Sequence, residues 1–149
     1  MQIDDKDRKI LQVLQGDGRA TVNAVADRVG LSASACLRRI QELERKKVIT
    51  GYRAVLNPAA QGIGFVAYVS VGLAEHSKEA QESFERAIAR AGEVRECHNV
   101  TGGFEYLLRI ETSDMTAYKF FHSEVLGTAP HVRSIQTFVV MESPKDERA

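Results

Sequence analysis

Apolar positions follow a helical period through the first 45 residues and a strand period over much of the rest. Asp4 as N-cap, Asp7 in the first turn, and Ile10, Leu11 and Leu14 behind them predict a helix that Gly16 and Gly18 end. Thr21 opens a second, with Val22, Val25, Ala26 and Val29 on one face and Gly30 suited to the left-handed position after it. Only Leu31 and the N-cap Ser32 separate this from a third helix, whose buried stripe is predicted to be Cys36, Leu37, Ile40 and Leu43. Two short amphipathic helices joined by such a tight turn are a helix-turn-helix signature. Val48 to Tyr52 and Arg53 to Leu56, around Gly51, then predict two short strands forming a wing.

Beyond a Pro- and Gly-containing segment at residues 57–64, read as a linker, the period changes. Phe65, Ala67, Val69, Val71 and Leu73 alternate with their neighbours as in a strand. Ser77 caps a helix with Ala80, Phe84, Ala87, Ile88 and Ala91 on one face. Strands at Val94–Val100 and Phe104–Glu111 flank Thr101-Gly102-Gly103, and Ser113 or Asp114 starts a helix through Tyr118, Phe121 and Val125. Val132–Met141 alternates again. The predicted class is α+β: a winged helix-turn-helix domain over residues 1–56, then a βαββαβ, ferredoxin-like domain over 65–149. Two helices cover one sheet face, so the other, with Tyr68 and Val139 assigned to it, is expected to pair with a second copy.

Charge sharpens this division. The 149 residues carry 20 Lys plus Arg and 20 Asp plus Glu, but residues 1–53 hold 11 basic against 7 acidic, leaving 9 against 13 for the rest. A basic first half implies a polyanionic partner. All four Tyr and six Phe lie at position 52 or beyond, so the basic half lacks platforms for unstacked bases and suits duplex DNA. Ser34, Ala35 and Arg38 are the base-edge candidates, and the cap Ser32 is counted among the DNA-binding residues: short side chains near the start of a recognition helix let its backbone approach the major groove. Arg39, Arg45, Lys46, Lys47 and Arg53 are read as phosphate contacts. The competing reading is a solvated basic face on an ordinary three-helix domain.

Cys36 and Cys97 are too far apart in sequence for a metal knuckle and are read as reduced and structural. No apolar run approaches the ~18 residues of a membrane span, and the opening residues are too acidic and polar for a signal peptide, so a cytoplasmic protein with no membrane partner is expected. No HExxH, GxSxG or P-loop occurs, and His76, His98, His122 and His131 lack metal spacing; no catalytic residue, metal or cofactor is assigned.

The chain resembles the Lrp/AsnC (feast/famine, leucine-responsive regulator) family of transcription factors from end to end. The residues that carry this are Asp4 to Leu14, Arg19, Gly30-Leu31-Ser32, Arg39-Ile40, Val48 to Tyr52, Val94 to Cys97 and Val100 to Leu108. Two departures stand out: Lys47 where the family often has Gly, and Glu105 where it often has Asp. The resemblance implies a C-terminal ligand-sensing domain that dimerises through its sheet, dimers that commonly build into octamers or sometimes tetramers and hexadecamers, and amino-acid effectors bound between C-terminal domains.

Within that frame, the backbone N–H groups of Gly102 and Gly103 suit a ligand carboxylate and Glu105 suits an ammonium group, with Thr101 and Phe104 in the same loop. Met115 and Phe138 enter by family position only, and core packing is their competing reading; taken alone, Gly102-Gly103 reads as a plain hairpin turn. The expected function is sequence-specific transcription regulation tuned by a small amino acid or related metabolite. The alternatives are a low-specificity, chromatin-like DNA organiser without effector, and a tetrapyrrole enzyme like the siroheme decarboxylases, which share the fold.

Overall fold

The computed structural model describes residues 2–147, and the chain divides between Val55 and Leu56 into two compact units. The first holds α1 (Asp5–Gly16), α2 (Val22–Val29) and α3 (Ala33–Arg45). Each helix begins where a side chain satisfies free backbone donors. Asp4 accepts from Asp7 N while the Asp7 carboxylate accepts from Asp4 N, a reciprocal capping box. Thr21 and Ser32 accept from Ala24 N and Ala35 N. Ile10, Val25, Ala26, Val29, Cys36, Ile40 and Leu43 form the core. Leu37, expected in that stripe, is 41% exposed, because it sits one helical step off the Cys36, Ile40 and Leu43 line.

The predicted wing does not form: no strand lies between α3 and residue 65 among the described residues. The reason is local. Lys47 N donates to Glu44 O at 3.0 Å and Val48 N to Leu43 O at 2.9 Å, the two bonds of a Schellman closure, and Ile49 N also donates to Leu43 O at 3.1 Å. The first two donors of the predicted strand are thus spent on ending α3, and Val48 and Ile49 pack on the core. Thr50 to Leu56 are exposed, though Tyr52 hydroxyl donates to Glu44 Oε1 at 2.9 Å. Partial burial and then that carboxylate push the Tyr52 phenol up to about 12.

The second unit runs β1 (Phe65–Leu73), α4 (Lys78–Ala89), β2 (Val94–Asn99), β3 (Tyr106–Thr112), α5 (Met115–Phe121) and β4 (Val132–Val139). The antiparallel sheet has the order β2-β3-β1-β4. Ala67, Val69 and Val71 of β1 and Tyr106, Leu108 and Ile110 of β3 are buried in one core with Ala80, Phe84 and Ile88 of α4 and Tyr118 and Phe121 of α5. After Phe121 the helix widens into a π turn, His122–Leu126, which Gly127 N closes on His122 O at 2.8 Å. No helix among the described residues is long and apolar enough to cross a membrane.

Register decides which side chains share the open face. Tyr68 pairs with Arg109 on one side and Phe138 on the other, so these three project together. Val139 is opposite the core residue Ala67 and is therefore on the helix-covered face, contrary to its assignment; Phe138 replaces it on the open one. Cys36 is buried as expected, but Cys97 is exposed on the edge strand β2 and is no core residue; both are free thiols.

Candidate nucleic-acid interface and effector site

The turn between α2 and α3 is built from backbone geometry and one lysine. Gly30 takes φ 68°, and Leu31 N donates back to Ala26 O at 3.0 Å. Lys6 Nζ donates to Val29 O at 2.6 Å and Gly30 O at 3.3 Å, placing a cation at the negative end of α2. This seats α3 on α2 with Arg38 on the side of α3 opposite Cys36, Ile40 and Leu43.

Ser32, Ser34 and Arg38 are exposed and Ala35 half-buried at the start of α3. Ser32 is partly occupied as the cap. The side chains of Arg38 and Lys47 take part in no hydrogen bond or ion pair among the described residues, and Lys46 and Arg53 are exposed beside them in sequence. Arg45 is exposed but forked onto Glu42, Nε to Oε2 at 2.8 Å and Nη2 to Oε1 at 2.7 Å, which lowers the Glu42 carboxyl and raises the guanidinium. Pairs this exposed hold little stability, so Arg45 remains exchangeable onto phosphate.

Arg39, also expected at a phosphate, is already held within the chain. Its Nη1 donates to Asp7 Oδ1 at 2.8 Å and Asp4 Oδ2 at 2.7 Å, and the Asp7 side chain is only 4% exposed. The guanidinium ties α3 to the cap of α1 and is raised further by both carboxylates, Asp4 first. Asp4 is lowered, by the Asp7 backbone N–H first and Arg39 second.

In the second unit Thr101–Glu105 links β2 to β3, with Val100 N donating to Glu105 O at 2.9 Å and Asn99 Nδ2 to the same oxygen at 3.1 Å. Gly102 has φ 129°, a conformation that side chains resist, and a Cβ on Gly102 or Gly103 would meet nothing within 4 Å. The loop backbone is thus open to a ligand. Glu105 lies in register beside Gly72 on the open face, and its carboxylate turns back over β1: Oε2 accepts from Leu73 N at 2.6 Å, and Oε1 faces His76 Nδ1 at 2.9 Å. A Cβ on Gly72 would meet Ser134 Oγ and approach Glu105 Oε2, so a larger residue here would require the Ser134 side chain to turn away. His76 was not among the predicted effector residues; it is 29 positions from Glu105 and carries no local signal.

Met115 and Phe138 do not join this loop within one chain. Met115 opens α5 at the far end of β3, and Phe138 lies mid-sheet beside Tyr68. Their core reading also fails, since they are 57% and 50% exposed. A cavity of about 320 Å³ lies elsewhere, lined by Glu85, Ile88, Val94, Cys97 and Tyr106 among others, with Tyr106 hydroxyl donating to Glu85 at 2.6 Å. Among the described residues no cluster of three His, Cys, Asp or Glu is arranged to hold a metal.

Two family models match this chain: an AsnC-type helix-turn-helix domain over residues 3–44 and an Lrp/AsnC ligand binding domain over 66–149. The chain belongs to the Lrp/AsnC family. It is thus a helix-turn-helix transcription regulator of that family. The proline dehydrogenase transcriptional activator of Rhizobium radiobacter is 40% identical over 144 residues, spanning 97% of this chain and 92% of its own. The leucine-responsive regulatory protein of Escherichia coli K12 is 40% identical over 143 residues, 96% of this chain and 87% of its own. A Neisseria meningitidis transcriptional regulator solved with L-Met superposes with a TM-score of 0.93 at 35% identity, covering 97% of this chain and 94% of that one.

Proposed function

We propose that this Lrp/AsnC regulator binds duplex DNA through α3 and senses a small amino acid at the Thr101–Glu105 loop. The observation that carries the sensing role is the loop itself: unobstructed backbone at Gly102 and Gly103 beside a carboxylate held in place by Leu73 N–H. One short segment thereby offers a partner to each end of a zwitterion. The L-Met bound by the Neisseria relative supports an amino-acid effector.

On the DNA side, Ser34, Ala35 and Arg38 read base edges while Arg45, Lys46, Lys47 and Arg53 hold phosphates. Lys47 adds support, because it keeps a left-handed φ of 57° where glycine would be unstrained. The open face, with Tyr68, Leu107 and Phe138, is the homodimer surface, and Met115 is offered to further copies in a larger homo-oligomer. Ligand between copies then changes assembly or the spacing of DNA-binding heads, which must match half-sites whole helical turns of ~34 Å apart. On this reading the protein works in the cytoplasm, where its DNA is, and catalyses no reaction of its own.

A thermal-shift screen against the twenty amino acids tests the sensing role, since a ligand that binds only the folded state raises its stability. A rise confined to one or two amino acids, lost in Glu105→Gln, is expected. No rise with any of them favours the effector-free DNA organiser.

A further inference from the structure

Each carboxylate oxygen of Glu105 already has a nitrogen against it, and the two neighbours differ in kind. Leu73 N–H, 2.6 Å from Oε2, belongs to the end of a buried strand and cannot leave without breaking the sheet. His76 Nδ1, 2.9 Å from Oε1, belongs to a side chain that is 81% exposed, against 15% for Glu105. Among the described residues His76 makes no other side-chain hydrogen bond or ion pair. The contact is an ion pair when the imidazole is protonated. One oxygen is therefore fixed by backbone, and the other is covered by a group that swings into solvent at little cost.

We propose that His76 is an internal stand-in for the ammonium group of the effector, which displaces it from Glu105 Oε1. The proposal rests on the reading of Thr101–Glu105 as the effector site. The imidazole covers a largely buried carboxylate oxygen while no ligand is present. An α-ammonium brings a full cation with three donors to the same oxygen and outcompetes it. Effector affinity is then the difference between two contacts, so His76 sets the concentration at which the regulator responds. It also selects for a free α-amino group: an Nα-acylated amino acid brings no cation and leaves His76 in place.

Calorimetric titration of the full chain with the twenty amino acids, L-methionine first and Nα-acetyl-L-methionine as control, tests this. His76→Ala is expected to bind its amino acid about two- to fivefold more tightly than the unsubstituted chain, the range an exposed polar pair commands, with no gain for the acetylated compound. In the unsubstituted chain, the ¹⁵N resonances of the His76 ring are expected to move to solvent-imidazole values on saturation. Unchanged or weaker binding by His76→Ala, or ring resonances that do not move, overturns the proposal. Undiminished binding by Glu105→Gln overturns instead the reading of the site itself, whatever His76 does. Absence of binding by both the unsubstituted chain and His76→Ala contradicts both.

Discussion

Gly30, one residue past α2, and Lys47, two past α3, hold equivalent places in the hydrogen-bond pattern that closes each helix, at φ 68° and 57°. In each case the following residue donates back to a carbonyl of the last helical turn, Leu31 N to Ala26 O and Val48 N to Leu43 O. Glycine reaches this conformation freely, whereas a Cβ there costs about 1 kcal/mol. Lys47→Gly is therefore expected to stabilise the first unit by about 0.5 to 1 kcal/mol in urea denaturation, and also to weaken DNA binding and reduce the salt slope by about 0.9. A stabilised variant with unchanged salt dependence would remove Lys47 from the DNA contacts.

Arg39 leads to a prediction opposite in kind. Asp7 is 3% exposed, and removing its guanidinium partner leaves a buried carboxylate poorly paired. Arg39→Ala is expected to cost about 1 to 3 kcal/mol of stability. Asp4, held below its ordinary value, adds a pH dependence of defined sign. Its stabilisation is complete above the ordinary aspartate range and is lost as pH falls through the depressed folded-state value, so stability drops below about pH 4. Denaturation curves from pH 7 to 3 should show a shallower acid loss in Asp4→Asn; parallel curves would show that this carboxylate contributes nothing.

Arg38 and Lys46 should separate on DNA. Arg38→Ala is expected to cost about 1 to 3 kcal/mol on the preferred duplex and to relax one base preference. Lys46→Ala should weaken specific and scrambled duplexes alike and flatten the salt slope by about 0.9. Gel-shift titrations on both duplexes distinguish them, and equal losses for Arg38→Ala on each would deny it a base contact.

Phe138 projects beside Tyr68 on the open sheet face and is half exposed in the single chain. If that face joins two copies, Phe138→Glu buries a charge without a partner and should raise the dimer dissociation constant by at least tenfold in sedimentation equilibrium. A variant that sediments like the unsubstituted chain would move the interface elsewhere.

The caps were the most legible part of the chain, because Asp4, Thr21, Ser32 and Ser77 act through their nearest backbone donors and need no tertiary information. The succession of strands and helices along the chain was equally accessible from the alternating and helical segments. The sequence misled where two local readings competed. Val48 and Ile49 have strand-like side chains, yet their N–H groups close α3. Arg39 looked like another member of a basic run, although its spacing three after Cys36 and four before Leu43 sets it at the edge of the buried stripe, where it meets the acidic cap of α1. Val139 and Phe138 exchange faces with a one-residue change of register. The link between Glu105 and His76 depends on how β1 and β3 pair and was out of reach of any local pattern.

On the function proposed above, the Thr101–Glu105 loop senses an amino acid and thereby alters DNA binding. Fluorescence-anisotropy isotherms on a specific duplex, with and without the amino acid selected by thermal shift, test it most directly. Glu105→Gln is the variant to compare, because its amide oxygen can still accept from Leu73 N–H while the charge is gone. The predicted result is an effector-dependent change in midpoint or steepness for the unsubstituted chain, with Glu105→Gln binding DNA normally but giving superimposable curves. Superimposable curves for the unsubstituted chain, or an intact response in Glu105→Gln, would contradict it.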